Sequence, residues 1–198
     1  MSVAVIKLGV GNTASVLFAL ERLGARAVLT DDPDVVKESE RVILPGVGAA
    51  SYASRVLRER GLDVALRAFT RPLLGVCLGQ QLLYEWSEEG GAEGLGRMAG
   101  KVTALPNSRD WPSPHMGWSR LQNLREHPLL EGVATDAYVY FVHAYACPVD
   151  ARSIATASYG RTFAAASAEG NAFGCQFHPE RSGAVGARVL VNFLAAPC

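Results

Sequence analysis

No apolar run in this 198-residue chain approaches the ~20 residues of a membrane span. The opening MSVAVIKLGVGN has too short an apolar stretch for a signal-peptide core followed by a small-residue cleavage site. These two absences lead us to expect a cytoplasmic chain with reduced thiols. Net charge is also missing: 19 acidic side chains match 19 basic ones, so overall electrostatics favours neither nucleic acid nor an anionic membrane as partner. Four cysteines, Cys77, Cys147, Cys175 and Cys198, stand far apart without a CxxC pair or a close set of His and Cys ligands, which argues against zinc. No metal or cofactor is expected. The absence of internal repeats and of a disordered linker, at this length, fits one domain spanning residues 1–198.

What is present alternates between strand and helix. Val3 to Leu8 reads as a buried strand, the loop GVGN follows at Gly9 to Asn12, and a helix then carries Val16, Leu17, Leu20 and Leu23 on one face until Gly24 ends it. Arg26 to Thr30 reads as a second strand, DDPD as a turn into a short helical piece, and Arg41 to Leu44 as a third strand running into PGVG. This order predicts an α/β fold with a doubly wound, mostly parallel sheet flanked by helices. Ligands collect at the carboxyl ends of such strands, where Gly9 to Asn12, Pro45 to Gly48 and Cys77 all fall. GGAEGLGRMAG, from Gly90, reads as flexible. After it come β-like pieces at 101–105, 137–145, 153–158, 161–166 and 172–177 that look antiparallel, and a last helix over roughly 184–194.

Leu73 to Leu83, LLGVCLGQQLL, is the segment richest in chemistry. Gly75-Val-Cys77-Leu-Gly79 is the thiol counterpart of the Gly-x-Ser-x-Gly elbow, in which small residues two before and two after the nucleophile permit a tight strand-to-helix turn. Cys77 would then point out from the sheet edge at a helix N-terminus, whose partial positive charge favours an anionic sulfur. Leu78 would offer its backbone N–H to an oxyanion. The elbow alone also admits a buried structural cysteine between two loop glycines. The second signal is GCQFHPE at Gly174 to Glu180, where an apolar strand delivers His178, Pro179 breaks the ladder and Glu180 follows. A nucleophilic cysteine needs an imidazole within reach, and that imidazole needs a carboxylate to hold its tautomer. Taken singly, His178 also reads as a core histidine and Glu180 as a solvated carboxylate.

Together, GVCLGQQLL and QFHPE resemble the triad-type, class I glutamine amidotransferases, and the resemblance spans essentially the whole chain. It implies a flavodoxin-like α/β sheet with extra antiparallel strands in the C-terminal half. It also implies a Cys77, His178, Glu180 triad that hydrolyses the side-chain amide of L-glutamine through a γ-glutamyl thioester and passes ammonia to a synthase. PGVG at Pro45 to Gly48, PHMGW at Pro114 to Trp118, YFVHAY at Tyr140 to Tyr145 and HPERSG at His178 to Gly183 are similar to the branch serving imidazole glycerol phosphate synthase in histidine biosynthesis. That branch pairs with a (β/α)8-barrel cyclase subunit in a heterodimer.

By the same resemblance, the oxyanion would meet Leu78 N–H and an N–H at Val47 or Gly48. Gly46, Gln81 and the backbone of Ala144 and Tyr145 would hold glutamine, and Asn12, His115, Met116, Trp118, Tyr140 and Arg181 would meet the cyclase. The glycine loop is expected to flip when the partner is loaded, a motion glycine permits because it tolerates positive φ. His127 and His143 read as structural. Two positions depart from the branch: Leu8 stands where Tyr is usual before the first glycine loop, and Arg181 where Lys is frequent, which alters the geometry of any ion pair. Competing readings are a glutaminase serving the synthases of anthranilate, GMP or pyridoxal phosphate, a catalytically silent subunit that stabilises its partner, and a stand-alone cysteine hydrolase. PHMGW and PGVG argue against the first, and an intact triad against the second.

Overall fold

The structure, a computed structural model, describes residues 2–9 and 13–197. The chain begins β1 (Ser2–Ile6), α1 (Thr13–Arg22), β2 (Arg26–Thr30), α2 (Pro33–Glu38) and β3 (Arg41–Gly46). It continues with α3 (Ala50–Glu59), α4 (Leu62–Ala68), β4 (Leu73–Cys77), α5 (Leu78–Leu83), β5 (Tyr84–Ser87), β6 (Ala92–Glu93) and β7 (Met98–Ala104). The remainder is β8 (His115–Arg120), β9 (Tyr138–His143), β10 (Tyr145–Ala146), β11 (Ser153–Tyr159), β12 (Arg161–Glu169), β13 (Ala172–Cys175) and α6 (Gly183–Ala195).

The main sheet has seven strands in the order β11-β12-β13-β4-β3-β1-β2. Its centre is doubly wound for a reason visible in the side chains. Every residue of β3 and β4 is buried, and successive strand residues point to opposite faces. Val3, Val5, Ile43, Leu74 and Val76 join a core with α1 and α6 through Val16, Leu20, Val189 and Phe193. Ala4, Ile6, Val42, Leu44 and Leu73 join the opposite core with α3 and α4 through Ala53, Leu57, Leu62 and Leu66. Among the described residues no helix is long and apolar enough to cross a membrane.

Two sequence expectations change. The glycine-rich stretch after Gly90 is held rather than free: β6 and β7 both pair with β5. Leu95 N–H and Arg97 N–H donate to Leu82 O (2.7 Å) and Leu83 O (2.8 Å), which buries Leu95 and Met98. The 172–177 piece is antiparallel to its neighbour on one side only. β13 pairs antiparallel with β12 but parallel with β4, with Cys175 opposite Val76. That parallel pairing is what sends Gln176 to His178 out of the same sheet edge as Cys77. β8 and β9 form a separate two-stranded antiparallel ribbon over this edge.

Candidate active site

Cys77 ends β4 with φ 55° and ψ −111°, a conformation that costs a non-glycine residue about 1–3 kcal/mol. The neighbouring glycines make the turn possible. A Cβ on Gly75 would lie 2.5 Å from the Gly79 carbonyl, and one on Gly79 would overlap the Leu44 carbonyl, 2.8 Å from its carbon. Helix α5 starts at once, at Leu78, so the Leu78 N–H has no acceptor within the helix. Cys77, Leu78, Val47 and Gly48, the last at φ 89°, line a cavity of about 220 Å³ with Gln81, Glu89, Val142, His143, Ala144 and Tyr145. Gly46 is not part of the lining. It is the last residue of β3, paired with Cys77 and packed against Leu78, so it supports the elbow from behind.

His178 follows β13 and is fixed at both backbone ends: its N–H donates to Tyr140 O (2.9 Å) and its carbonyl accepts from Ser182 Oγ (2.7 Å). Its Nδ1 lies 2.8 Å from Glu180 Oε1, on the single 3₁₀ turn after Pro179. A carboxylate only accepts, so Nδ1 carries the hydrogen and Nε2, buried without a hydrogen-bond partner, is left to exchange a proton. Burial opposes the imidazolium, but the Cys77 sulfur and the Glu180 carboxylate favour it more, raising the His178 pKa to about 10. The arrangement is an acid–base pair aimed at a sulfur: His178 can take the Cys77 proton and give it to a leaving group.

Gln81 lines the cavity with both amide hydrogens engaged, one on Tyr145 O (2.8 Å) and one on Gln176 Oε1 (3.0 Å), so it has only its carbonyl oxygen left for a ligand. Glu89 is the one carboxylate among the described residues that line the cavity, and its Oε2 accepts from Ala50 N–H (2.7 Å). Sequence reasoning passed over it because it falls beside the glycine-rich stretch, where no periodicity marks it. Gln176 was also passed over, although two residues before His178 in an extended chain puts it on the same side.

Of the expected docking residues, Trp118, Tyr140 and Arg181 line one cleft of about 350 Å³. The Trp118 and Tyr140 rings meet edge to face at 6.0 Å, and the Arg181 guanidinium sits 5.9 Å from the Tyr140 ring centre. Met116, 63% exposed, alternates onto the outer side of β8 with Trp118. Asn12 lies outside the described residues. His115 is corrected: strand alternation turns it inward, 2% exposed, and it stacks between Phe141 and Tyr159.

His115 also belongs to a proton-ordered chain with His143. His143 Nδ1 donates to Tyr145 O (2.8 Å), so its Nε2 accepts from His115 Nδ1 (3.0 Å), and His115 Nε2 accepts from Ser119 Oγ (2.9 Å). This order is that of two neutral imidazoles, the form burial favours by lowering their pKa values, His115 to about 4 and His143 to about 3. Their contribution to stability is intact above the ordinary histidine pKa of 6.5 and declines as pH falls below it, because only the unfolded chain takes up the protons. We expect each to cost on the order of 2 kcal/mol at pH 5. Urea-unfolding midpoints at pH 7 and pH 5 check this, and equal midpoints would contradict it.

A family model described as glutamine amidotransferase class-I matches residues 5–196. Among curated relatives, the imidazole glycerol phosphate synthase subunit HisH of Vibrio cholerae is 46% identical over 98% of both chains. That of Xanthomonas oryzae pv. oryzae is 48% identical over 97% of this chain and 96% of its own length. Among solved structures, a putative GMP synthase component from Thermoplasma acidophilum superimposes with a TM-score of 0.77 at 16% identity, over 98% of this chain and 92% of that one. PurLQS from Thermotoga maritima reaches 0.73 at 20% identity, over 98% and 97%, and both likenesses bear on the fold alone. The chain belongs to the class I glutamine amidotransferase family and, within it, to the family of HisH subunits of imidazole glycerol phosphate synthase.

Proposed function

We propose that this chain, as one cytoplasmic domain, hydrolyses L-glutamine to L-glutamate and ammonia. The ammonia passes to a (β/α)8-barrel cyclase subunit of the HisF type, which makes imidazole glycerol phosphate and AICAR in histidine biosynthesis. The observation that carries the reading is a His178 anchored on Glu180 and acted on by the sulfur of a cysteine held at positive φ on the rim of an amino-acid-sized cavity. Cys77 gives its proton to His178 and attacks the amide carbon, and the oxyanion meets Leu78 N–H and an N–H at Val47 or Gly48. The carbon–nitrogen bond then breaks as His178 protonates the departing ammonia. In the second half His178 takes a proton from water, the hydroxyl adds to the thioester, and sulfur leaves. Glu180 keeps the imidazole oriented throughout.

Glutamine arrives as a zwitterion. Glu89 supplies the negative charge its α-ammonium group needs, with the Gln81 carbonyl oxygen and the backbone of Ala144 and Tyr145 as the remaining polar wall. Ammonia released into bulk water would be protonated and lost as a nucleophile, so the cyclase has to cover the exit. Met116, Trp118, Tyr140 and Arg181 offer the aromatic and cationic surface that suits such a heterodimer. Glutamate release measured with the isolated chain, with the cyclase, and with the cyclase plus its nucleotide ligand tests the reading. We expect weak turnover alone and a large rise only with the liganded partner. Full activity without a partner would refute the gating, and no activity in the complete complex would refute the function.

A further inference from the structure

We infer that Gln176 is a further catalytic residue, its side-chain amide donating to the Cys77 sulfur and holding it as an anion before acylation and again as it leaves the thioester. The inference rests on the reading of Cys77 as nucleophile. Gln176 is wholly buried one residue beyond β13, and its Nε2 lies 3.7 Å from Cys77 Sγ, within reach for a sulfur acceptor.

The direction of that amide follows from one carbonyl. Tyr145 O can only accept, so the Gln81 atom 2.8 Å from it is the nitrogen. The second hydrogen of that nitrogen goes to the Gln176 atom 3.0 Å away, which is therefore the oxygen. What remains to face the sulfur is Gln176 Nε2–H. Tyr145 O is itself tied to His143 Nδ1 at 2.8 Å, so the order of the chain is set from outside the triad.

A donor is needed at this point because the sulfur changes character. In the neutral thiol, S–H points at Val142 O, 3.6 Å away. Once the proton moves to His178, the same carbonyl oxygen faces a negative sulfur and no longer holds it. Gln176 Nε2–H then makes a charge-assisted hydrogen bond, about twice as strong as a neutral one. No bond to Gln176 forms or breaks, and its hydrogen stays on nitrogen. When water has added to the thioester carbon, the carbon–sulfur bond breaks with its electron pair on sulfur. Gln176 receives that anion before His178 reprotonates it.

The test alkylates the full chain with iodoacetamide over a pH series without glutamine, following the Cys77 peptide by mass spectrometry. In Gln176→Met, similar in length but without a donor, the pH of half-maximal alkylation is expected to rise by about one unit. With glutamine and the liganded cyclase, kcat should fall about tenfold while KM is unchanged. Should that variant not fold, Gln176→Glu keeps the acceptor for Gln81, lacks the N–H, and should move the midpoint up further. A folded variant with the wild-type alkylation profile overturns the inference, as does a rise in KM with the profile unmoved. Because alkylation is read without glutamine, failure of this inference is separable from failure of the glutaminase reading.

Discussion

Cys77→Ala is expected to lower glutamine hydrolysis by at least ~10⁴-fold while leaving the fold and the affinity for the cyclase intact. Among the described cavity-lining side chains Cys77 carries the only thiol, and its sulfur acts directly on the His178 imidazole; an alanine methyl leaves water as the nucleophile, with no thioester to divide the reaction. The positive φ at residue 77 is imposed by the flanking strand and helix and is no worse for alanine than for cysteine. One small side-chain atom is removed at the edge of an existing cavity, so the cost in stability stays near ~1 kcal/mol. Glutamate release, thermal midpoint and titration with the cyclase subunit measure activity, stability and association separately. Retained turnover would mean that the elbow is structural and the chemistry lies elsewhere. Loss of partner binding would mean that Cys77 supports the β8–β9 ribbon through Val142 O more than it serves the reaction.

The grouping of Cys77, His178 and Glu180 could be expected from the sequence because each residue sits at a local signal: glycines two before and two after Cys77, and a proline that frees Glu180 to turn back on His178. How Cys77 reaches His178 could not, since it depends on β13 pairing parallel with β4 across about a hundred intervening residues, and a short apolar strand carries no mark of its partner. The signals for α3 and α4 are present in the sequence, and that of α3 is strongly amphipathic. Ala53, Val56 and Leu57, then Leu62, Ala65 and Leu66, recur at helical spacing between two glycine motifs that drew the reading elsewhere. Glu89 has no local signal, because its place on the cavity comes from the turn between β5 and β6. His115 shows a different limit. Its motif falls on a partly exposed strand, but alternation within that strand sends Met116 and Trp118 outward and His115 into the core, so a motif contributes a face only through every second residue.

Gly79→Ala is the substitution for which local propensity and tertiary packing disagree most, and packing is expected to win. In the interior of an isolated helix alanine is favoured over glycine by about 1 kcal/mol. Here the methyl would be driven into the Leu44 carbonyl, 2.8 Å from its carbon, and Leu44 cannot retreat. It lies in the middle of β3, fully buried, opposite Gly75 of β4, with β1 on the other side. Gly75 leaves no slack either, since its own face is closed by Gly79. Helix α5 would have to lift off the sheet, opening the contacts of Leu78, Leu82 and Leu83 with the core beneath α3 and α4. Overpacking of this kind costs about 3 kcal/mol or more, a large share of the roughly 5–15 kcal/mol that holds a domain together. The lift would also carry away the Leu78 N–H and tilt Cys77 off the His178 axis, so the fraction that folds should be far less active than wild type. Urea unfolding followed by circular dichroism, with glutaminase activity of the soluble fraction in the liganded complex, tests both parts. A variant as stable as wild type would show that α5 is free to shift on β3, and the strained φ of Cys77 would then need a source other than this close approach.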